Sequence, residues 1–210
     1  MDYIADYGSS DSIIGNNVDL KNFDFTNKVV VGLDRGAYIC YLNNIKLNYA
    51  IGDFDSISAE ELKLLEHYTN VIKLNPIKDV TDTEFALNMF KDYDKLIILG
   101  GIFGSRIDHF IANLKLFYKY PNLILIDDNT YISLCDMMQD FVKDEYTYYS
   151  FFALEDVFDL SLKGFKYELH DYFLSHESSL CVSNEIVSFK AQLSFSKGKL
   201  LLVKTKNERV

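Results

Sequence analysis

The stretch Leu47-Asn48-Tyr49-Ala50-Ile51-Gly52-Asp53-Phe54-Asp55-Ser56 passes from a short apolar run, through a glycine, to two carboxylates set two residues apart. The apolar run predicts a buried strand over Tyr49 to Ile51, and the strand period of two would aim Asp53 and Asp55 the same way. Like charges converging that closely repel unless a cation lies between them. A hard ion such as Mg²⁺, held by a few carboxylates and by substrate phosphates, resolves the repulsion. Two further acid-rich segments, Lys78-Asp79-Val80-Thr81-Asp82 and Arg106-Ile107-Asp108-His109, also follow predicted strands.

Outward from this junction, β-branched apolar runs recur at Lys28 to Leu33, Asn70 to Leu74, Lys95 to Leu99 and Asn122 to Ile126, as buried parallel strands do. Between them, Ala37 to Ile45, Ala59 to Tyr68, Thr83 to Lys91 and Ile107 to Tyr118 carry apolar residues at helical spacing. The alternation predicts an α/β class with a Rossmann-like parallel sheet over residues 1–130. Beyond Tyr131 the helical period fades. Short alternating runs, Ser188 to Phe195 and Lys199 to Thr205, are punctuated by Lys163-Gly164 and Lys197-Gly198. Residues 137–210 therefore read as a smaller all-β sandwich or barrel, with a junction near Asp127 to Asp140.

Bulk properties limit the function classes. With 210 residues, 49% of them hydrophobic and 15% aromatic, the chain can bury a substantial core. A net charge of −10 argues against a nucleic-acid partner, which needs a basic footprint. No charged-then-apolar leader and no apolar stretch near ~20 residues is present, so a cytoplasmic protein without membrane contact is expected. Cys40, Cys135 and Cys181 are far apart and odd in number, which predicts free thiols rather than a disulfide framework or zinc site.

Glycine and arginine are both scarce and both concentrated. Gly32, Gly36, Gly52, Gly100, Gly101 and Gly104 fall at the C-terminal ends of predicted strands, the edge where open α/β sheets bind ligands. Arg35 and Arg106 lie in the same strand-to-helix turns, and a guanidinium fork suits oxyanions. Backbone N–H groups at glycines beside helix N-termini complete a plausible phosphate cradle.

The ordered series Leu33-Asp34-Arg35-Gly36-Ala37, Ile51-Gly52-Asp53-Phe54-Asp55-Ser56, Lys78-Asp79-Val80-Thr81-Asp82-Thr83-Glu84 and Gly101-Ile102-Phe103-Gly104-Ser105-Arg106-Ile107-Asp108-His109, with Asn113, resembles the thiamine pyrophosphokinase family. Leu162-Lys163-Gly164-Phe165-Lys166-Tyr167 and Ser183-Asn184-Glu185 extend the resemblance into the second half. It implies an ATP/Mg-binding α/β domain followed by a thiamine-binding β-sandwich, in a homodimer whose active sites lie at the subunit interface. The implied reaction moves the pyrophosphoryl group of ATP, the co-substrate, onto the hydroxyl of thiamine and releases AMP.

By motif matching, the resemblance makes Asp53, Asp55 and Asp82 Mg²⁺ ligands with Asp79 close by, and adds Arg106 and Asp108 to the catalytic set. It assigns Asp34, Arg35, Gly36, Lys78, Gly101 and Gly104 to ATP, and Asp108, His109, Asn113, Ser183 and Asn184 to thiamine. Ser105 stands where the family has a second glycine, and the chain has no tryptophan, so a Tyr or Phe would have to stack on thiamine.

Plainer roles compete for several of these residues. Thr81 with Glu84, and Ser105 with Asp108, have capping-box spacing. Asp34 can be a turn former, and Asp127-Asp128 reads as a solvated turn. Two other functions share part of the pattern: a phosphatase using Asp53 as nucleophile and Asp55 as acid, and a non-catalytic thiamine or nucleotide sensor.

Overall fold

The computed structural model describes residues 2–6, 18–77, 79–102 and 107–207. The chain divides into two compact units, Met1–Asp128 and Asn129–Val210. In the first, β1 (Asp2–Asp6), β2 (Val30–Leu33), β3 (Tyr49–Gly52), β4 (Asn70–Lys73), β5 (Leu96–Gly100) and β6 (Leu123–Ile126) form a sheet in the order β4-β3-β2-β1-β5-β6. Every pairing among them is parallel. Four helices interleave: α1 (Arg35–Leu42), α2 (Ala59–Tyr68), α3 (Asp82–Met89) and α4 (Ile107–Leu116).

All four residues of β2 and all five of β5 are buried, so both faces of the central strands are covered, which is why those runs are continuously apolar. Ala37 and Cys40 of α1, Leu65 of α2, and Val30, Ala50 and Phe54 share one core cluster. Gly32 is required by contact here, because a Cβ at this position would press into the backbone of Ala37. The helix starts follow the capping rules. Ser58 and Glu61 form a reciprocal capping box on α2, whereas on α3 Thr81 caps the Glu84 N–H and the Glu84 carboxylate pairs with Lys119 Nζ at 2.9 Å.

Asp127 corrects one expectation. It is 3% exposed, not a solvated turn residue. Its neighbour Asp128 accepts hydrogen bonds from the Asp19 N–H at 2.6 Å and the Asn22 side chain at 3.0 Å, tying the end of β6 to a 3-10 turn at Leu20–Asn22.

The second unit contains β7 (Thr130–Leu134), β8 (Met138–Val142), β9 (Tyr148–Lys163), β10 (Leu169–Leu174), β11 (Lys190–Ser194) and β12 (Lys197–Thr205), all antiparallel. The first part of β9 pairs with β12, while its last residues pair with β10 and β11. Register shifts near Gly198 and a positive φ of 56° at Asp159 mark where the strand turns from one sheet into the other. Phe141, Tyr149, Phe151 and Phe165 pack edge-on at the centre of this unit's core, with ring centroids 5.6 Å apart for Phe151 and Phe165. The three cysteines are free. Among the described residues no helix is long and apolar enough to cross a membrane.

Candidate active site

Parallel pairing puts the C-terminal ends of all six strands of the first unit on one edge. The order reverses at β1, with β2 on one side and β5 on the other, which is where open α/β sheets bind ligands. The acid-rich segments leave the sheet there. Asp34 follows β2 and Asp53 follows β3, while Asp82 opens α3 after β4. Gly101 follows β5, and Asp108 lies exposed on the first turn of α4.

The pleat does not aim the acidic pair. Strand β3 stops at Gly52, Phe54 takes a left-handed φ of 59°, and Asp53 Oδ1 accepts the Asp55 N–H at 3.1 Å. Asp53 and Asp55 are therefore fixed by an Asx turn whose centre is nailed down by the Phe54 ring, 5% exposed in the core. Ile51 and Leu33, next to the site, are fully enclosed, so the acids stand on rigid strands.

Asp34 joins this turn from the neighbouring strand, its Oδ1 accepting the Phe54 N–H at 3.1 Å. Burial pushes its carboxyl up to about 7; the Phe54 N–H opposes the shift, and the carboxylates of Asp82, Asp53 and Asp55 add to it. Asp34, Asp53, Asp55 and Asp82 thus gather at one strand-end edge, Asp34 and Asp53 through hydrogen bonds to the same turn. Arg35 brings the one described arginine of the turns to the same place, donating from Nη1 to the Ser56 carbonyl at 3.4 Å.

Among the described residues, no three His, Cys, Asp or Glu side chains close into a metal cage. The donor set still fits Mg²⁺, which keeps several waters and takes one or two protein carboxylates together with substrate phosphates. Asp79 is exposed and Asp82 half-buried. Lys78, Gly104 and Arg106 lie outside the described residues. Gly36 is buried in the first turn of α1. His109 is half-buried on α4. Asn113 is 3% exposed and donates its amide to the Gly101 carbonyl at 3.2 Å, fixing the exit of β5.

In the second unit Ser183 and Asn184 behave differently from one another. Ser183 is exposed, has a φ of 56°, and donates its N–H to Ser150 Oγ at 2.9 Å. Asn184 is 2% exposed, and its side chain accepts from the Tyr167 and Glu185 N–H groups and donates to the Tyr167 carbonyl at 2.8 Å. Beside it lies a cavity of about 390 Å³ lined by Leu162, Tyr167, Leu169, Leu180, Cys181, Val182 and Asn184. Its size suits a small ligand. Tyr167 is its one aromatic lining residue; sequence reading named the motif containing Tyr167 without a role for it. An open cleft of about 460 Å³ beside Lys46, Tyr49, His67 and Asn70 sits at the opposite edge of the first sheet, at the starts of β3 and β4.

Two family models cover nearly all of the chain: Thiamin pyrophosphokinase, catalytic domain, over residues 20–126, and Thiamin pyrophosphokinase, vitamin B1 binding domain, over residues 128–200. The chain belongs to the thiamin pyrophosphokinase family. It is 33% identical over 196 residues to the thiamine pyrophosphokinase of Bacillus subtilis, covering 89% of this chain and 92% of the relative. The crystal structure of a thiamine pyrophosphokinase from Bacillus subtilis superposes with a TM-score of 0.86 at 32% identity, covering 98% of each chain. That of a thiamin pyrophosphokinase from Geobacillus thermodenitrificans gives 0.85 at 28% identity, covering 99% and 98%. Family membership does not favour the phosphatase and sensor readings. For a thiamin pyrophosphokinase the acidic strand ends and the second-unit cavity fall in separate family modules, 20–126 and 128–200.

Proposed function

We propose that this chain transfers the pyrophosphoryl group of ATP to the hydroxyl of thiamine, giving thiamine diphosphate and AMP. The observation that carries the reading is the gathering of Asp34, Asp53, Asp55 and Asp82 at the C-terminal edge of the parallel sheet, with Asp34 and Asp53 bonded to one turn. The first unit is read as Rossmann-like on its strand order, and the second as a β-sandwich on the strand that serves two sheets.

Asp53, Asp55 and Asp82, with Asp79 nearby, would hold Mg²⁺. When bound, the ion would neutralise charge on the phosphoryl oxygens, where most of the catalytic work in such transfers lies. The protein's own part is positioning. Arg35, Gly36, Lys78, Gly101 and Gly104 are assigned to the nucleotide, and Arg106 to the phosphates. Asp108, exposed on the first turn of α4, is the residue assigned to orient the thiamine hydroxyl and accept its proton. His109, on the same turn, and Asn113, which holds the Gly101 carbonyl, are assigned to the thiamine side. Thiamine is cationic and aromatic, and Tyr167, which with Asn184 lines the second-unit cavity, offers a face for it, Ser183 being next to Asn184 in the chain.

Self-association as a homodimer accompanies this reading, supported by Leu180, Val182, Val187 and Phe189, which expose apolar surface in the second unit. A cytoplasmic location is supported by the free thiols. Incubating the chain with ATP, Mg²⁺ and thiamine tests the reaction. Formation of AMP together with thiamine diphosphate is expected; release of inorganic phosphate alone, or binding without AMP, overturns it.

A further inference from the structure

Asp34 occupies the residue before α1, where an aspartate ordinarily turns its carboxylate onto the helix's own N–H groups. It does not do so. No cap hydrogen bond to α1 is formed, and the backbone is held at φ 44°, ψ −123°, a conformation non-glycine residues seldom adopt. Such strain persists only where the surroundings dictate it. Here the Asp34 N–H donates to the Ile51 carbonyl at 3.0 Å and its carbonyl receives the Ala37 N–H at 3.1 Å, which together turn the side chain away from its helix.

The carboxylate instead crosses the end of β3 and takes the Phe54 N–H at 3.1 Å. Gly52 makes the crossing possible, since a Cβ there would collide with Asp34 Oδ1. The middle of the acidic turn is thus gripped twice, by Asp34 at the Phe54 N–H and by the core around the Phe54 ring.

We infer that Asp34 is a positioning residue that holds the Asp53-Phe54-Asp55 turn in a metal-binding shape, rather than a ligand of the nucleotide. The inference rests on the reading of Asp53 and Asp55 as Mg²⁺ ligands. A grip through a hydrogen bond needs an acceptor oxygen and not a charge, and this separates it from direct coordination.

The test is titration of Mn²⁺ into the purified, metal-stripped full chain, followed by electron paramagnetic resonance, for wild type, Asp53→Asn, Asp34→Ala and Asp34→Asn. Asp34→Ala should weaken Mn²⁺ binding about tenfold or more, as loss of an orienting partner does at metal sites. Asp34→Asn, which keeps Oδ1, should stay within about threefold of wild type while Asp53→Asn does not. Mn²⁺ affinity as poor in Asp34→Asn as in Asp53→Asn overturns the inference, as does an unchanged affinity in Asp34→Ala or a wild type that binds no Mn²⁺. Should Asp34→Ala not fold, the Asp34→Asn and Asp53→Asn pair still decides. Thiamine diphosphate formation, assayed in parallel, separates the two claims: the expected Mn²⁺ pattern without product sinks the reaction and leaves the grip, while product with the wrong pattern does the reverse.

Discussion

The acidic turn of the first unit and the Ser183-Asn184 segment of the second both sit at bends with a positive φ, yet they spend their polar groups in opposite ways. At the first, like charges crowd together, and the field of Asp82, Asp53 and Asp55 reaches Asp34. At the second, the Asn184 amide bonds the backbone of Tyr167 and Glu185. Clustered negative charge is suited to gathering a cation, whereas an amide bonded to the backbone around it shapes its surroundings. The contrast teaches that these two motifs, equally visible as sequence, act by different physics: one by supplying charge, the other by holding a wall in place.

The largest expected effect breaks the first region. Asp55→Asn should leave folding nearly intact and lower turnover on the order of 10²-fold or more, because metal-borne charge stabilisation is worth several kcal/mol. Steady-state rates with circular dichroism check this, and near-normal turnover would detach Asp55 from the metal. The mirror experiment belongs to the second region. Asn184→Ala strands the Tyr167 and Glu185 backbone groups and should cost about 2–4 kcal/mol, seen as a Tm lowered by roughly 5–10 °C. If Tm stays put, the hydrogen bonds at Asn184 hold nothing together.

Ser183→Ala sharpens the comparison further. Its N–H bond to Ser150 survives the change, so a several-fold rise in the KM for thiamine with a smaller change in kcat is expected, of about 1 kcal/mol for one lost hydrogen bond. An unaltered KM would separate Ser183 from the substrate. The last prediction is a pH dependence. The Asp34 carboxyl has a folded pKa of about 7, above its ordinary 3.8, so the native state binds the extra proton. This contribution to stability is fully present below 3.8 and is lost as pH rises through about 7. In metal-free protein, wild type should therefore lose Tm relative to Asp34→Asn between pH 5 and 7.5, a window bounded by ~3.8 and ~7. Parallel Tm curves would remove the shift.

Much of the first unit is legible in the chain because β2 and β5 are buried on both faces, which makes them continuous apolar runs. Strand β9 is not, although it is the longest. Its exposure changes along Tyr148–Lys163 as it leaves one sheet for another, so no single period describes it. Within the site, the pairing of Asp53 with Asp55 is written in their spacing, but the means is not. The spacing suggests a strand pleat, and the left-handed Phe54 makes a turn instead. Asp127 looks like half of a polar turn until the fold buries it.

Residue types and spacing alone determined the alternation of strand and helix, the acids at the strand ends, the glycines beside them and the family to which the motifs belong. These are local properties: hydrophobic period, turn chemistry and charge depend on neighbours along the chain. Only the tertiary structure decided that Asp34 reaches across Gly52 to Phe54 and that Asn184 supports Tyr167. Those contacts join residues 20 and 17 positions apart through the packing of neighbouring strands and loops, and such proximity has no signature in a single sequence.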